Sequence, residues 1–496
     1  MRFAVFCLCV TSLAASDWPR FRGPNGAGTS PDRGLPSEIG KDRNVLWKQK
    51  TLQGHSSPVV FKGRLWITGY EGDDRVVLCY DAAKGSLLWR RAVPKLRTEV
   101  ANPMNGPATP SVATDGHSIF VFFPEIGLLA FDFNGKERWR VPLGPFGGVQ
   151  GMAVSPVYAE GNVVLLIDTP EQAYLAAFDA RTGRQVWKVD RPIGFLGSYA
   201  TPALYKPPSG PMQLIVAGAV ELTGYQAKTG ERLWWARTVT MAPAAPPLVS
   251  GDSVYTLEPF AEGAPPFSQM LNGFDKNKNG KIELSEVSGD SENEKIMYRI
   301  FKSIDKNTGN NDGVVTEEEF NHAFSDTKSG GLVRTRLAGT GDVTGTNVVW
   351  RYTKGVPYVT GALLYENVLY VIRNGGILET FNPDTGQLLQ EARLKDAIGD
   401  YYASPVAAEG KIYFINLDGK ITVVRAGADW QQLSTSDLEE RVIATPAIAQ
   451  SRIYIRTDAN LYCFSSQNTH AGVPQKKALR RSLKMPASGS PKALHS

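Results

Sequence analysis

The sequence predicts an all-β protein, an eight-bladed β-propeller with a small α-helical insertion in blade 5. Three observations support this prediction. A short proline motif recurs eight times, a glycine hairpin that ends in tryptophan follows most of its copies, and one long gap between copies shows helical instead of alternating periodicity. The 496 residues include 49 glycines and 32 prolines, which suits a repeat with many turns.

The first 16 residues are predicted to be a secretory signal peptide. Arg2 precedes a short apolar run, and Ala14, Ala15 and Ser16 offer small residues for cleavage before Asp17. The run is too short to span a bilayer, and no other segment is long and apolar enough, so we expect no transmembrane segment. We therefore expect an exported protein, periplasmic or extracellular.

The proline motif combines a small or hydroxyl-bearing residue, proline and an apolar residue. Proline suits the start of an edge strand, and small neighbours suit an inner edge where several sheets crowd around an axis. The usual repeat of about 45 residues is enough for four short strands, which make one propeller blade. The copies are SSPVV (56–60), ATPSV (108–112), VSPVY (154–158), ATPAL (200–204), APPLV (245–249), TGALL without proline (360–364), ASPVA (403–407) and ATPAI (444–448).

In the tryptophan motif an aromatic residue, usually followed by aspartate, precedes a glycine, and tryptophan follows four residues after the glycine. The clearest copy is FDARTGRQVW, which ends at Trp187, and similar segments end at Trp89, Trp139 and Trp234. The segment fits a tight hairpin in which glycine takes a positive φ. The tryptophan can then pack against the next sheet.

The two ends of the repeat complement each other. Trp47 lies before the first proline motif, whereas the last copy has inner strands but no closing tryptophan strand. We expect the N-terminal strand to complete the eighth blade and close the ring, which removes a free sheet edge. Cys79 and Cys463 would lie on equivalent strands of neighbouring blades. Because packed sheets lie about 10 Å apart, we favour two buried free thiols over a disulfide.

The long gap predicts an insertion at residues 262–328. Successive proline motifs are 115 residues apart here and 41 to 52 apart elsewhere. The surplus falls between the predicted second and third strands of blade 5, at a surface turn that tolerates insertions. The predicted domains are a signal peptide at 1–16, propeller at 17–261 and 329–466, the insertion at 262–328, and a basic tail at 467–496.

The first loop of the insertion, DKNKNGKIELSE at 275–286, matches the calcium-loop pattern D-x-[DN]-x-[DN]-G-x5-E completely. Ca²⁺ takes roughly six to eight hard oxygen ligands, which this spacing supplies around a sharp turn. The expected ligands are side-chain oxygens of Asp275, Asn277 and Asn279, the carbonyl of Lys281, Glu283 directly or through water, and both carboxylate oxygens of Glu286.

The second loop is irregular, because three extra residues separate its ligand positions. Its expected ligands are Asp305, Asn307, Asp312, the carbonyl of Val314, and Glu319. Either the loop bulges at Gly309 and still binds Ca²⁺, or it only braces the first loop. The insertion thus resembles an EF-hand pair, and the fold class becomes a propeller with an EF-hand insertion in blade 5. Exported calcium modules often bind at about 0.1–1 mM, and we expect a structural use.

The repeats resemble the PQQ-like (quinoprotein alcohol dehydrogenase-like) β-propeller repeat family. The tryptophan hairpins and the opening DWPRFRGPNGAGTS carry the resemblance, which covers most of residues 17–466. That family includes quinoprotein alcohol dehydrogenases and also non-catalytic exported propellers, such as outer-membrane-assembly factors. The resemblance therefore implies the fold and leaves enzyme or scaffold open.

Enzymatic chemistry finds little support in the sequence. Enzymes of that family typically carry two adjacent cysteines, quinohaem versions carry C-x-x-C-H, and neither pattern occurs here. The hydrolase patterns G-x-S-x-G and H-E-x-x-H are also absent. We therefore predict a non-catalytic binding or assembly scaffold that binds Ca²⁺ and not PQQ, with no catalytic residues. The alternative is a periplasmic PQQ-dependent oxidoreductase.

Charge and rim residues constrain the partners. Arg2 and the six basic side chains of the tail outnumber the net charge of +5, so the body is slightly acidic and we expect no nucleic-acid partner. We favour a solvated tail over peripheral contact with an anionic surface. We expect a protein or peptide partner, although ordinary loop composition is the preferred explanation for the rim. The rim residues are His55, Asn102, Asn105, Gln150, Tyr199, Tyr358, Asp400, Tyr401 and Tyr402.

Overall fold

The computed structural model describes residues 16–194, 196–239, 242–258, 266–287, 289–324, 330–357 and 359–466. In these ranges eight sheets, each built on four antiparallel strands, form the blades of a propeller, which confirms the predicted fold class. The predicted signal peptide, apart from Ser16, lies outside the described residues. So do the basic tail, Tyr358, and both predicted ends of the insertion, Glu262 and Lys328.

Strands are numbered in chain order, and each of the first seven blades runs from its inner to its outer strand. Blades 1 to 4 consist of β2–β5 (Val59–Phe61, Arg64–Glu71, Asp74–Asp81, Leu87–Pro94), β6–β9 (Ala113–Thr114, Ser118–Phe123, Gly127–Asp132, Glu137–Pro142), β10–β13 (Val157–Ala159, Asn162–Asp168, Ala173–Asp179, Gln185–Asp190) and β14–β17 (Ala203–Tyr205, Gln213–Ala217, Leu222–Gln226, Arg232–Ala236). Blades 5 to 7 consist of β18, β19, β22 and β24 (Leu248–Ser250, Ser253–Glu258, Gly331–Arg336, Val348–Tyr352), β25–β28 (Leu363–Tyr365, Val368–Arg373, Ile377–Phe381, Leu388–Arg393) and β29–β32 (Val406–Ala408, Lys411–Ile415, Lys420–Arg425, Gln431–Asp437).

The eighth blade joins the two ends of the repeat. Its inner strands are β33 (Ala447–Ala449), β34 (Arg452–Arg456) and β35 (Asn460–Phe464), and its outer strand is β1 (Val45–Lys50). In this pairing Trp47 lies opposite Cys463. The ring therefore closes as expected, and Cys79 and Cys463 are buried free thiols.

Each tryptophan motif locks one blade onto the next. A Cβ on Gly183, whose φ is +74°, would lie 2.7 Å from the Trp139 ring of the preceding blade, so only glycine lets the indole lie on this turn. The Trp139 indole also donates to the Ala180 carbonyl at 3.0 Å. The same packing recurs for Gly85 on Trp47, Gly135 on Trp89, Gly230 on Trp187 and Gly386 on Trp350.

The insertion lies between β19 and β22 and has its own small core. Its elements are α1 (Phe267–Phe274), β20 (Ile282–Glu283), α2 (Leu284–Val287), α3 (Glu292–Thr308), β21 (Val314–Val315) and α4 (Glu317–Ala323). Strands β20 and β21 pair antiparallel, with Ile282 opposite Val315. The core includes Phe267, Ile282, Phe301, Ile304 and Val315, all buried.

Three further features were not expected from the sequence. A short strand, β23 (Gly341–Asp342), pairs in parallel with β17 as a fifth strand of blade 4, and α5 (Thr344–Asn347) follows it. Residues 17–30, the N-terminal strap, cross the axial end of the disc. The strap pairs Trp18 with Val60 of blade 1, exchanges hydrogen bonds between Asn25 and Leu204 of blade 4, and reaches Ala407 of blade 7.

No helix in the described residues is both long and apolar enough to cross a membrane.

Candidate functional site

In the first loop of the insertion, residues 275–286, hydrogen bonds from the loop's own backbone amides hold the side-chain oxygens toward its interior. Asp275 accepts hydrogen bonds from the amides of Asn279 at 3.1 Å and Gly280 at 2.9 Å. The Asn279 amide also donates to Asn277 Oδ1 at 3.0 Å, and the Lys281 amide donates to Asn279 Oδ1 at 2.9 Å. Gly280 has a φ of +79°, which glycine adopts without strain.

Glu286 closes this loop from its far end. It is 8% exposed, and its two carboxylate oxygens accept the amides of Asn277 at 2.9 Å and Glu283 at 3.1 Å. Glu283 Oε1 in turn accepts the side-chain amide of Asn279 at 2.9 Å. The structure therefore brings together the first-loop side chains that the sequence predicts as ligands.

The second loop, residues 305–319, repeats this arrangement. Asp305 accepts the amides of Asp312 and Gly313, both at 3.0 Å. The Asp312 amide also donates to Asn310 Oδ1 at 3.0 Å, and the Val314 amide donates to Asp312 Oδ1 at 2.9 Å. Glu319 closes the second loop as Glu286 closes the first.

The two closing carboxylates make the same contacts. Glu319 accepts the amides of Asn310 at 3.1 Å and Thr316 at 2.9 Å, one on each oxygen. Six hydrogen bonds from backbone amides to side-chain oxygens in the first loop thus have counterparts in the second, although the second loop is three residues longer. Thr316 also caps α4, where Glu319 completes a capping box.

Asn307 does not join this group. It lies in the last turn of α3, and its side-chain amide donates to the Pro170 carbonyl at 3.2 Å and to Ser303 Oγ at 3.0 Å. Asn310 takes the place equivalent to Asn277. The three extra residues are absorbed because α3 continues to Thr308 before the loop turns inward. Counting back two residues from Asp312, as Asn277 precedes Asn279, would have found Asn310.

The loops offer oxygen donors of mixed kind. In the described part of the chain, no three His, Cys, Asp or Glu side chains are arranged to hold a metal ion by themselves. Each loop combines carboxylates with asparagine amides and with a backbone carbonyl, at Lys281 or Val314. Such oxygen-only sets suit Ca²⁺ and not the softer transition metals, and they fit the ion that the sequence predicts. The EF-hand interpretation and the binding itself stay predictions.

The insertion rests on blade 3. Lys306 Nζ lies 2.6 Å from Glu171 Oε2, in the loop after β11, beside the contact between Asn307 and Pro170. Leu196, in the loop between blades 3 and 4, packs against the insertion core. The extra turn of α3 therefore supplies the polar contacts that fasten the second loop to the disc.

A second candidate site is the axial funnel, a cavity of about 190 Å³ that reaches from the rim loops down to Phe21 of the strap. Six predicted rim residues line it: His55, Asn102, Asn105, Gln150, Tyr199 and Tyr402. Asp400 is exposed and Tyr401 is buried with its hydroxyl on the Ala397 carbonyl, and neither lines the cavity. The residues that line the walls of this cavity below the rim were not predicted from the sequence.

Those walls carry a ring of hydroxyl groups. In six blades one hydroxyl accepts the backbone amide of the matching residue in the preceding blade, at 2.8–3.0 Å. In five of these blades the hydroxyl directly precedes the proline of the motif, so this contact explains the hydroxyl-bearing residue there, whereas in blade 2 Ser111 follows Pro110. Pro246 in blade 5 and Gly361 in blade 6 interrupt the ring. Its members are Ser57, Ser111, Ser155, Thr201, Ser404 and Thr445.

The rim carries little charge. The described lining residues include no Asp, Glu, Lys or Arg. Burial, followed by the charge of Arg456, lowers the pKa of His55 to about 4, so this imidazole is neutral at pH 7. Pyrroloquinoline quinone is a planar tricarboxylate, and the rim offers no cationic side chain for its carboxylates. The residues of the rim do not fit that cofactor.

Comparison with known proteins relates the chain to one family. The family described as outer membrane protein assembly factor BamB matches residues 73–259 and 314–471, and the gap between these ranges covers most of the insertion. No curated protein matches the chain.

Among solved structures, BamB from Moraxella catarrhalis is 13% identical, with a TM-score of 0.51, and covers 86% of this chain and 100% of its own. A europium-containing methanol dehydrogenase is 11% identical, with a TM-score of 0.58, and covers 91% of this chain and 98% of its own. The quinohemoprotein alcohol dehydrogenase from Comamonas testosteroni is 13% identical, with a TM-score of 0.59, and covers 96% of this chain and 82% of its own. These three solved structures, two of which are dehydrogenases, show the same fold as this chain. The sequence match over residues 73–259 and 314–471 shows that the chain belongs to the family described as outer membrane protein assembly factor BamB.

Proposed function

We propose that this protein is an exported, non-catalytic propeller that binds or assembles other proteins, and that both loops of its insertion bind Ca²⁺. One observation supports the calcium proposal most strongly. Six hydrogen bonds from backbone amides to side-chain oxygens within the first loop each have a counterpart within the second loop. A loop that only braced its neighbour would not need these oxygen positions, yet the second loop has the same arrangement despite its three extra residues.

The expected effect of the ion is structural. Each loop holds an aspartate at its start and a glutamate that closes it, and these like charges repel each other without a cation between them. A bound ion stabilises only the folded arrangement, so it raises the stability of the insertion by mass action. Three lysines in the first loop weaken its field, and exported calcium modules bind at about 0.1–1 mM.

The scaffold proposal draws on the face that carries both the rim and the insertion. Antiparallel strands alternate in direction, so the loops that enter inner strands emerge on the same face as the loops between second and third strands. On that face Leu96 is 56% exposed, Ile193 43% and Ile398 65%. Exposed apolar side chains around a polar rim suit a protein or peptide partner. Export rests on the N-terminal sequence and on the family description.

Calorimetric titration with calcium tests the ion sites. We expect two ions per chain for the wild type and one for each of Glu286→Gln and Glu319→Gln, because each change removes a closing carboxylate. Glu318→Gln is the matched control, since Glu318 is an exposed acid next to Glu319 that makes none of the loop contacts. Equal uptake by all four proteins would show that the loops are not the sites.

The alternative is a periplasmic PQQ-dependent oxidoreductase, which draws on the shared fold of the methanol and alcohol dehydrogenases. The lack of adjacent cysteines in the sequence and of cations at the rim weighs against it. Incubation with the quinone distinguishes the two proposals. We expect neither a change in quinone absorbance nor reduction of an electron-accepting dye with alcohols, and either signal would favour the enzyme.

A further inference from the structure

The insertion leaves the disc at blade 5 but rests on a loop of blade 3, the bridging loop, residues 169–172 between β11 and β12. Lys306 Nζ lies 2.6 Å from Glu171 Oε2, and the Asn307 side chain donates to the Pro170 carbonyl at 3.2 Å. Both contacts come from the last turn of α3, directly after the first residue of the second calcium loop. The second calcium loop is therefore the part of the insertion nearest in sequence to these polar contacts.

The bridging loop supports part of the funnel rim from its other side. It contacts the entry loop of blade 3, residues 143–151, which follows β9 and leads toward β10. Thr169 Oγ1 donates to the Phe146 carbonyl at 3.0 Å, and Gln172 Nε2 donates to the Pro145 carbonyl at 2.7 Å. The bridging loop thus lies between the insertion and the entry loop and contacts both.

One side chain of the bridging loop contacts both neighbours at once. The Glu171 carboxylate pairs with Lys306 of the insertion. A Cβ on Gly147 would lie 2.7 Å from Glu171 Cγ, so the stem of this side chain packs directly on the backbone of the entry loop. A change in the position of Lys306 therefore reaches the entry loop through a single intervening residue.

The entry loop depends on outside contacts to keep one conformation. Four of its nine residues are glycines, and all four have a positive φ, between +67° and +122°. Glycine loses more conformational entropy on folding than any other residue, so contacts from neighbouring elements must offset the cost of ordering this loop. The contacts of the bridging loop supply part of that stabilisation.

The entry loop ends at the funnel. Gln150 lines the cavity, and its backbone carbonyl accepts the side-chain amide of Asn105, another lining residue, at 2.8 Å. A second connection leads to Tyr199, whose hydroxyl donates to the Leu196 carbonyl at 3.3 Å, while the Leu196 side chain packs against the insertion core. Three residues of the funnel rim are therefore held by loops that the insertion supports.

We propose that Ca²⁺ in the second loop of the insertion orders the entry loop of blade 3, so that partner binding at the funnel rim depends on calcium. This inference rests on the proposed function, because it needs an ion in the second loop. Without the ion, the carboxylates of Asp305 and Glu319 repel each other, which loosens the end of α3 and its contacts with the bridging loop. With the ion, these contacts hold, and less conformational entropy remains to be lost when a partner binds the rim.

Hydrogen–deuterium exchange of the full chain, with and without millimolar calcium, tests the proposal. We expect calcium to slow the exchange of entry-loop amides at least about fivefold, the lower end of typical coupling between two sites. The loop that enters blade 7, residues 396–402, is the internal control and should be unchanged, because blade 7 lies directly across the ring from blade 3. Equal slowing in both loops would mean that calcium acts on the whole disc, and it would overturn the proposal.

Two variants break the connection from opposite sides. Lys306→Ala removes the ion pair from the insertion and Glu171→Ala removes it from the disc, and neither residue is a predicted calcium ligand. Losing one half-exposed ion pair changes an equilibrium by up to about fivefold, so the response of the entry loop should fall below about twofold in each variant while calcium uptake stays unchanged. Lys302→Ala is the matched control, because Lys302 is an exposed lysine one turn earlier on α3. A full response in both Lys306→Ala and Glu171→Ala would refute the proposal.

Loop-specific variants show which ion acts. Glu319→Gln removes the closing carboxylate of the second loop and should abolish the response of the entry loop. Glu286→Gln makes the same change in the first loop, away from the bridging loop, and should keep the response. A response that survives Glu319→Gln and disappears in Glu286→Gln would contradict the proposed route.

Calorimetric titration of the same samples separates this inference from the proposed function. If the wild type takes up no calcium, the ion sites and this inference both fail. If it takes up two ions while the exchange of the entry loop stays the same, the ion sites stand and only this inference fails.

Discussion

At the residue scale, the contacts between neighbouring blades depend on glycines, whose lack of a side chain leaves room for a tryptophan ring. Gly183 combines a φ of +74° with a hypothetical Cβ 2.7 Å from Trp139, so both the backbone and the packing require glycine. The sequence predicted this role correctly, because the spacing from glycine to tryptophan is local and repeats from blade to blade.

Gly183→Ala should lower the free energy of unfolding by about 3 kcal/mol, the sum of a left-handed alanine and an overpacked ring. Gly161→Ala in the same blade is the control, since Gly161 has a φ of +83° and a Cβ added there would meet nothing within 4 Å. It should cost only about 1 kcal/mol. Urea denaturation measures both, and equal losses would mean that the Trp139 contact contributes nothing.

His55 gives the protein a defined response to acid. Arg456, Arg441 and Asp458 surround it, and its pKa falls from 6.5 in the unfolded chain to about 4 in the folded protein. The unfolded state therefore binds a proton first, so this residue has no effect on stability above pH 6.5. It removes about 3 kcal/mol as the pH falls from 6.5 to 4.

Replacing His55 with asparagine should flatten this part of the stability curve. The measurement is the free energy of unfolding in urea at several pH values between 4 and 7. If the wild type and His55→Asn lose stability in parallel over that range, His55 is not the group responsible.

The predicted ligand Asn307 shows that local sequence spacing cannot predict a contact between residues far apart in the chain. Its sequence spacing from Asp305 resembles a loop position, but α3 continues through it, and Lys306 and Asn307 contact blade 3. That contact joins residues 135 or more positions apart. A spacing rule has no access to such a contact. The hydrogen bonds that place the predicted ligand side chains of the first loop all lie within residues 275–286, so their arrangement could be predicted from spacing.

At the element scale, the insertion is a small unit with its own core. Phe301 is fully buried there and packs edge-on against Phe274 at 5.4 Å between ring centroids. Strands β20 and β21 join the two loops beside this core, so we expect loss of the core to disable both loops together.

Phe301→Ala should cost the insertion about 3–5 kcal/mol, enough to unfold a unit of this size. We expect calcium uptake to disappear and amides of α1 to α4 to exchange rapidly with deuterium, while the blades keep their protection. Lys302→Ala, an exposed neighbour on α3, is the control and should behave as the wild type. Equal loss of protection in the blades would contradict an independent insertion.

Blade strands could be predicted because alternation and turn residues are local signals. The N-terminal strap, the parallel strand β23 and the gap in the hydroxyl ring could not. Each depends on which blades face each other across the axis or around the rim. The residues involved, such as Arg22 and Gly361, are more than 300 positions apart.

At the scale of the whole molecule, closure of the ring depends on β1. Trp47 is 8% exposed, lies against Gly85 of blade 1, and donates to the Ala82 carbonyl at 3.2 Å. Without this contact the outer strand can leave, and the free edge of β35 can pair with another chain.

Trp47→Ala should therefore lose about 3–5 kcal/mol and associate on warming. Trp350→Ala is the matched control, because Trp350 makes the same contacts inside the chain, with Gly386 and the Pro383 carbonyl. It should lose stability without associating. Light scattering coupled to size-exclusion chromatography measures both, and identical association of the two variants would contradict closure by β1.

The same closed ring gives the proposed scaffold a rigid disc, with the insertion and the apolar rim side chains on one face. Calcium would hold the insertion in shape on that face, next to the surface offered to a partner. This role of calcium requires first that the two loops hold ions.

A long-wavelength anomalous difference map from crystals grown with millimolar calcium tests this most directly. We expect two peaks, each with oxygen ligands at about 2.3–2.6 Å, one between Asp275 and Glu286 and the other between Asp305 and Glu319. A map without these peaks, in which the two carboxylates of each loop point apart, would contradict it.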